Sequence, residues 1–180
     1  MVCLGTRANA QHSSKKKLRI LVYGLPNFER QNSENVIADR WGFEFFAIAN
    51  CDVSEEIKNR ADSNNNIVEP LIAKKHGKDW RDKFEKAVDT ELERENIALS
   101  KLESFAPIVK KQKEMEKEGN GLQYYPWPVA NEKNEYNVSV EGWGKLNNKY
   151  VWLSFYRFRA NCINGSYKLI SDTTIFRWSN

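Results

Sequence analysis

Few residues of this 180-residue chain could carry out catalysis, and histidine is the scarcest of them. The chain contains only His12 and His76, and Asp79 and Asp82 follow His76 at spacings of three residues. A histidine with carboxylates can bind a metal or transfer a proton, so His76 with Asp79 or Asp82 is the candidate site for a hydrolase, possibly metal-assisted. Gly77 interrupts their helical spacing, however, and a catalytic zinc ion usually takes a further nitrogen ligand. We therefore expect no metal and no cofactor, and interpret Asp79 as a helix cap.

Other catalytic patterns find no better support. Nucleophilic catalysis would have to use the same histidine, and nothing in the sequence places Cys51 or a serine beside it. Glu91, Glu93 and Glu95 form a carboxylate-rich run that we interpret as the exposed face of a helix. The loop Gly24–Asn27 lacks the glycine pattern of a dinucleotide fingerprint and the Gly-Lys-Ser/Thr of a P-loop. We therefore lean towards a protein without catalysis.

An aromatic tract outside the regular patterns is the preferred candidate for a binding surface. Tyr124, Tyr125 and Trp127 supply three aromatic side chains, and Pro126 and Pro128 restrict the backbone between them. Rigid aromatic anchors of this kind carry much of the binding energy at protein interfaces. The alternative, that the tract packs over the open end of the core, stays open.

A mixture of basic and aromatic residues near the C-terminus suits stacking on single-stranded nucleic acid. Arg157 and Arg159 alternate there with Tyr156 and Phe158. The formal charge of +4 is concentrated near the N-terminus: without the five basic residues at positions 7, 15–17 and 19, 23 basic residues face 24 acidic ones. Because the body is neutral and the glycine-rich signature of an RNA-recognition strand is absent, we expect no nucleic-acid partner and instead an inter-strand ion pair.

The first residues of the chain indicate export. Ala8-Asn9-Ala10 before Gln11 has the small-x-small pattern of a secretory cleavage site, although a charged start and a full apolar stretch are missing. We interpret residues 1–10 as the remnant of a signal peptide and residues 11–17 as a basic tail. The alternative is an ordinary disordered N-terminus. No apolar run approaches the length of a transmembrane segment.

The cysteines agree with export without requiring it. If Cys3 leaves with the leader, Cys51 and Cys162 remain as one even pair, which is typical of secreted domains. A disulfide between them is one interpretation. The other is two buried thiols in a reducing compartment, each behaving as a small hydrophobic residue.

Hydrophobic patterns in the first half of the chain predict a βαβ unit followed by helices. Residues 18–23 and 43–49 are apolar enough for buried strands, and a helix that ends at Gly42 separates them. A further helix begins near residue 54, and the asparagine run and Pro70 predict a break or kink near residues 63–69. Gly77 then separates two helices at a corner.

The second half of the chain predicts a long helix and an antiparallel meander. The helix runs from Trp80 to about Phe105, and a charged segment at residues 110–118 follows as a solvated helical turn or a loose linker. Three strands are expected between residues 134 and 178, with Tyr150–Phe158 at the centre. Asn164-Gly165 predicts a two-residue hairpin turn with positive φ at both positions.

Four short motifs resemble a group of uncharacterised exported bacterial proteins of the FEKKY-domain type. They are Val22–Pro26, Ala38–Glu44, Ala49–Ser54 and Lys75–Trp80, and the resemblance covers roughly residues 18 to 90. It implies an exported envelope protein of unknown activity and supplies no catalytic residue.

These patterns together predict one α+β domain at residues 18–180: an N-terminal βαβ unit, a helix-helix corner, and a three-stranded antiparallel meander packed on a long helix. The expected function is that of a secreted or periplasmic, non-catalytic module that binds an unknown protein or small ligand in the cell envelope.

Overall fold

The computed structural model describes residues 17–147 and 149–178 and has a mixed α+β architecture, as predicted. The predicted signal-peptide remnant and all of the basic tail except Lys17 lie outside the described residues. The elements are β1 (Leu18–Tyr23), α1 (Gln31–Trp41), β2 (Phe43–Ala49), α2 (Glu55–His76), α3 (Trp80–Leu99), α4 (Ala106–Glu116), β3 (Gln123–Pro128), β4 (Glu135–Leu146), β5 (Lys149–Asn161), β6 (Tyr167–Ser171) and β7 (Ile175–Trp178).

The N-terminal part contains the predicted βαβ unit. β1 and β2 pair in parallel with α1 between them in the chain, and Leu18 lies opposite Phe43. α1 ends at Gly42, whose φ of 83° lies in the left-handed region that favours glycine. One face of this sheet packs on the helices, and the resulting core consists of Ile20, Ile37, Ala38, Phe43, Val68, Ile72, Trp80, Phe84 and Val88.

α2 is a single helix from Glu55 to His76, so of the predicted break or kink near residues 63–69 the break is wrong. The helix begins with a cap, because the Ser54 side chain accepts a hydrogen bond from the backbone N–H of Ile57 at 3.3 Å. Pro70 lies inside the helix in an exposed position, where water can bind the backbone carbonyl that has lost its donor.

The asparagines that suggested a break instead hold α2 against the edge of β1. Asn65 accepts a hydrogen bond from the backbone N–H of Leu21 at 2.9 Å and donates one to the Leu21 carbonyl at 2.8 Å. Asn64 donates to the Arg19 carbonyl at 2.8 Å. These side-chain amides make the hydrogen bonds that a further strand would make beside β1, so this edge of the sheet is already paired.

The predicted corner is present where α2 ends at His76 and α3 begins at Trp80. Gly77 stands between them with a φ of 101°, which favours glycine. α3 is shorter than predicted, and a turn separates it from α4, so residues 110–118 belong largely to a helix and not to a linker. None of the helices in residues 17–147 and 149–178 is long and apolar enough to cross a membrane.

The C-terminal part is an antiparallel sheet in the order β3-β4-β5-β6, with β7 also paired to β5. β5 is therefore the central strand, as predicted, and β4 to β6 form the predicted meander. The sheet is larger than predicted because the aromatic tract forms β3, whose Tyr125 pairs with Ser139 of β4. Its inner face packs on α3 and α4, in a core of Ala98, Leu102, Ile108, Tyr136, Val138, Val140, Phe158, Ala160 and Cys162.

The connection between β5 and β6 differs from the predicted two-residue turn. β5 ends at Asn161 and β6 begins at Tyr167, so five residues join them. Only Gly165 of the predicted pair has a positive φ, at 65°. Two hydrogen bonds close the loop. The backbone N–H of Gly165 donates to the Asn161 carbonyl at 2.9 Å, and the backbone N–H of Ile163 donates to the side-chain oxygen of Asn161 at 2.9 Å.

Candidate functional site

The three residues of the predicted hydrolase site have separate surroundings. His76 stacks on Trp41 with ring centroids 4.3 Å apart, and its Nε2 lies 3.2 Å from the Trp41 carbonyl oxygen. Asp79 occupies the N-cap position of α3, but its side chain makes no capping hydrogen bond to the helix backbone. Instead it pairs with Lys83 at 2.8 Å, and the hydrogen bond from Lys83 lowers the pKa of Asp79. Asp82 is exposed in the first turn of α3. No hydrogen bond joins these three residues, and the described part of the chain contains no cluster of three possible metal ligands.

The two cysteines that were candidates for a disulfide, Cys51 and Cys162, lie in different surroundings. Cys51 is exposed in the loop after β2, whereas Cys162 is buried in the C-terminal core, with 2% of its surface exposed. Both are free thiols in this structure.

The predicted aromatic surface divides between the two faces of β3. Because side chains alternate along a strand, Tyr124 points to the inner face, where it packs against the C-terminal core. Tyr125 and Trp127 point to the outer face and keep 40% and 44% of their surface exposed. The binding candidate therefore reduces to the pair Tyr125 and Trp127, while Tyr124 packs on the core as the alternative interpretation expected.

The strand register extends this aromatic pair into two rows across the outer face. In the first row, Trp127 lies opposite Asn137, which lies opposite Arg159 and then Lys168. In the second row, Tyr125 is followed by Ser139, Arg157 and Ser171. Each row thus begins with an aromatic residue, continues with a small polar residue and an arginine, and ends on β6.

The cations of these rows are only partly paired. Arg159 forms an ion pair with Glu132 of the β3–β4 loop at 3.1 Å, and not with a neighbouring strand. Arg157 and Lys168 are exposed and have no ion-pair partner within the described residues. The arrangement leaves positive charge beside the exposed aromatic rings.

A buried carboxylate, Glu141 of β4, lies two residues beyond Ser139 of the second row. Glu141, only 8% exposed, accepts hydrogen bonds from the Ser139 hydroxyl at 2.5 Å, the Trp152 indole at 2.7 Å and Arg177 at 3.1 Å. With both oxygens occupied, Glu141 serves to hold β4, β5 and β7 together.

Trp127 also lines a cleft of about 870 Å³ between α1, α3 and the β3–β4 loop. Glu91, only 2% exposed, lies at the base of this cleft. Arg40 donates to both of its oxygens, at 2.7 and 3.2 Å, and the Tyr136 hydroxyl donates at 2.5 Å. Burial, together with this hydrogen bond, raises the pKa of Tyr136, so the phenol stays a donor. Arg94 donates to the Tyr136 hydroxyl at 3.3 Å.

A second buried carboxylate, Glu95, lies one helical turn further along α3. Asn32 donates one hydrogen bond to Glu95 at 2.9 Å and another to the Pro126 carbonyl of β3 at 2.7 Å. Burial raises the pKa of Glu95 to about 7, against the opposing effects of Asn32 and Ser33. The Ser33 hydroxyl is fully buried and makes no hydrogen bond of normal geometry with a described residue.

The interpretation of this run as an exposed helix face is therefore wrong for Glu91 and Glu95, and it holds for Glu93. The sequence did carry a signal for their burial. The buried stripe of α3 and the turn after it continues at spacings of three and four residues through Trp80, Phe84, Val88, Glu91, Glu95, Ala98 and Leu102. The two glutamates lie between the N-terminal and C-terminal cores.

These contacts suit binding and positioning better than proton transfer to a substrate. Both oxygens of Glu91 are held by Arg40 and Tyr136, and Glu95 does not line the cleft. Among the residues that line the cleft, the indole of Trp127 and the guanidinium of Arg40 are both about half-exposed.

Comparisons of the chain with protein-family models, with curated proteins and with solved structures found no match.

Proposed function

We propose that this chain is a non-catalytic binding module whose ligand contacts the outer face of the C-terminal sheet at Tyr125 and Trp127. The observation that carries the proposal is the exposure of these two large aromatic side chains, side by side on one face of β3. Exposed aromatic anchors with few rotamers lose little entropy when a ligand packs on them.

The backbone under this surface is rigidly held, which favours binding without rearrangement. β3 pairs with β4 along all six of its residues, and Asn32 bonds the Pro126 carbonyl to α1. Pro126 and Pro128 further restrict the backbone on either side of Trp127. The cost of ordering the surface on binding is therefore already met in the free protein.

The compartment remains a proposal based on sequence. Export rests on residues 1–10, which lie outside the described residues, and on the resemblance to exported FEKKY-domain proteins. A secreted or periplasmic location would expose the module to ligands of the cell envelope.

The proposal can be tested by measuring binding of defined probes to the immobilised protein. The probes are a single-stranded oligonucleotide, an acidic and a neutral oligosaccharide, and anionic lipid vesicles. The variant Tyr125→Ala/Trp127→Ala should retain the fold, since both side chains are 40–44% exposed. We expect it to weaken binding of at least one probe by about 10-fold or more, which corresponds to the loss of one typical anchor.

Tyr150→Ala is the matched control, because Tyr150 is also an exposed aromatic residue of the same sheet, at 49% exposure, far along β5 from the two rows. It should bind like the wild type. If every probe binds the double variant and the control equally well, the chosen surface is wrong. Far-UV circular dichroism and a thermal melt establish that each variant is folded.

A further inference from the structure

We infer that the ligand of this outer face is single-stranded nucleic acid, with two neighbouring bases stacked on Trp127 and Tyr125 and the phosphate backbone following Arg159 and Arg157 along β5. This inference rests on the proposed function and names its ligand class.

The spacing of the two rows fits a strand of unstacked nucleotides. Residues two apart on one strand are about 6.7 Å apart, which is about twice the 3.4 Å per nucleotide of a stacked strand. Two bases on Trp127 and Tyr125 therefore cannot stack on each other as they do in a duplex. Bases splayed apart and stacked on aromatic side chains are the usual state of single strands bound to a protein surface.

The same register separates the rings from the cations by a distance suited to a nucleotide. β3 and β5 are two strands apart, so the aromatic residues and the arginines lie about 10 Å apart. In a nucleotide the sugar separates the base from the phosphate, and the exposed amide of Asn137 lies between Trp127 and Arg159 to donate or accept hydrogen bonds there. An oligosaccharide places its charged groups directly on the rings that stack, which fits this separation less well.

The distribution of charge also favours a phosphate backbone. Arg159 and Lys168 lie directly opposite each other on the outer face, and like charges in that position destabilise a sheet. Arg157 on the adjacent row has no anionic partner among the described residues. Arg159 already pairs with Glu132, so a chain of phosphates would neutralise the unpaired Arg157 and Lys168 together, whereas a single anion would not.

The neutral body of the chain, which argued against nucleic acid at the level of sequence, does not weigh against this arrangement. Net charge governs long-range attraction, but phosphates and bases are bound by the local side chains of the face. We expect modest affinity with a clear dependence on salt, since few phosphates are contacted.

The test is the fluorescence anisotropy of fluorescein-labelled oligothymidylate titrated with the full chain at salt concentrations of about 50 to 200 mM. The two unpaired cations, Arg157 and Lys168, predict a slope of log K against log salt of about −1.4, at about 0.7 per contacted phosphate. Trp127→Ala should weaken binding by about 5- to 150-fold, the range for loss of one base stack. Oligothymidylate should bind more tightly than oligoadenylate, whose bases must first be unstacked.

Arg157→Gln should make the slope shallower by about 0.7. The matched control is Arg60→Gln, which removes the same charge from an exposed position on α2 and should leave both affinity and slope unchanged. Equal losses for the two arginine variants would indicate general electrostatic attraction and overturn the inference.

Failure of the ligand class is distinguishable from failure of the surface. If oligothymidylate does not bind while an oligosaccharide or vesicle probe still binds through Tyr125 and Trp127, nucleic acid is the wrong ligand and the binding surface stands. If no probe depends on those two residues, both proposals fall.

Discussion

Replacing Glu95 by glutamine should stabilise the protein at alkaline pH and do much less at acidic pH. Glu95 is only 4% exposed, and burial raises its pKa from 4.5 to about 7. A glutamine has nearly the same shape and carries no charge. Its oxygen can keep the hydrogen bond from Asn32, and its NH₂ group can donate to the buried Ser33 hydroxyl, which has no partner of normal geometry in the described structure.

The magnitude follows from the linkage between protonation and folding. The unfolded chain ionises Glu95 near pH 4.5 and the folded chain only near pH 7, so the wild type loses stability as the pH rises through this interval. Below about pH 4.5 both states are protonated and the loss is absent. Above about pH 7 it is complete and amounts to about 3 kcal/mol, since each pKa unit corresponds to about 1.4 kcal/mol. At pH 5 the same relation gives a loss of stability of less than about 1 kcal/mol.

The assay is urea denaturation of wild type and Glu95→Gln at pH 5 and pH 8.5, compared as the difference in the free energy of unfolding. The advantage of the variant should grow by about 2 to 3 kcal/mol between the two pH values, whatever the fixed effect of the new amide. Glu93→Gln, at an exposed position of the same helix, should show no such growth. A pH-independent difference for Glu95→Gln would refute the assignment of a raised pKa to this carboxyl.

Two further predictions concern stability and use the same denaturation assay. Asn65→Ala removes both hydrogen bonds to the Leu21 backbone and should lower the free energy of unfolding by about 1 to 3 kcal/mol. Asn66→Ala, at an exposed position, should lower it by less than about 0.5 kcal/mol. Equal losses would show that the hydrogen bonds from Asn65 to β1 contribute nothing to stability. Gly165→Ala places a Cβ 2.6 Å from the Ser100 hydroxyl oxygen at the C-cap of α3. Gly119 has a similar positive φ of 73° but open space around it, so Gly119→Ala should lower the free energy of unfolding by about 1 to 2 kcal/mol. Gly165→Ala should lower it clearly more. If Gly165→Ala and Gly119→Ala lose the same stability, the close packing of the β5–β6 loop against α3 does not contribute to stability.

Patterns along the chain were sufficient to predict most of the elements. The two N-terminal strands, the corner at Gly77 and the central position of β5 are confirmed, because each follows from hydrophobic periodicity or from the conformational freedom of glycine. Such signals lie within a few residues of one another and do not depend on the rest of the fold.

Errors arose where a side chain is satisfied by a distant element. The asparagine run was taken to weaken α2, but Asn65 bonds to a strand 44 residues away and thereby stabilises the helix where it lies. The Pro-rich tract was not predicted as a strand. Within the described part of the chain, β3 pairs with β4 alone, and an edge strand tolerates Pro126 and Pro128 because its other side needs no N–H donors.

In the candidate site, too, the sequence pattern identified individual residues, and contacts between distant strands arranged them. Aromatic composition alone selected Tyr124, Tyr125 and Trp127, but only the register between β3, β4 and β5 places Tyr125 and Trp127 in rows with the arginines of β5. Rows of this kind join residues about 30 positions apart, and a change of register by one residue would move each side chain to the opposite face.

The sequence by itself determined the types of most elements, the apolar part of the stripe along α3 and the aromatic tract that contains Tyr125 and Trp127. The tertiary structure decided which of these are buried and what they contact. Glu91 illustrates the physical reason: a carboxylate can be buried only where partners stabilise it, and its partners Arg40 and Tyr136 lie 51 and 45 residues away in the chain. Local periodicity places Glu91 on the inner stripe, and only the fold supplies the groups that allow it to stay there.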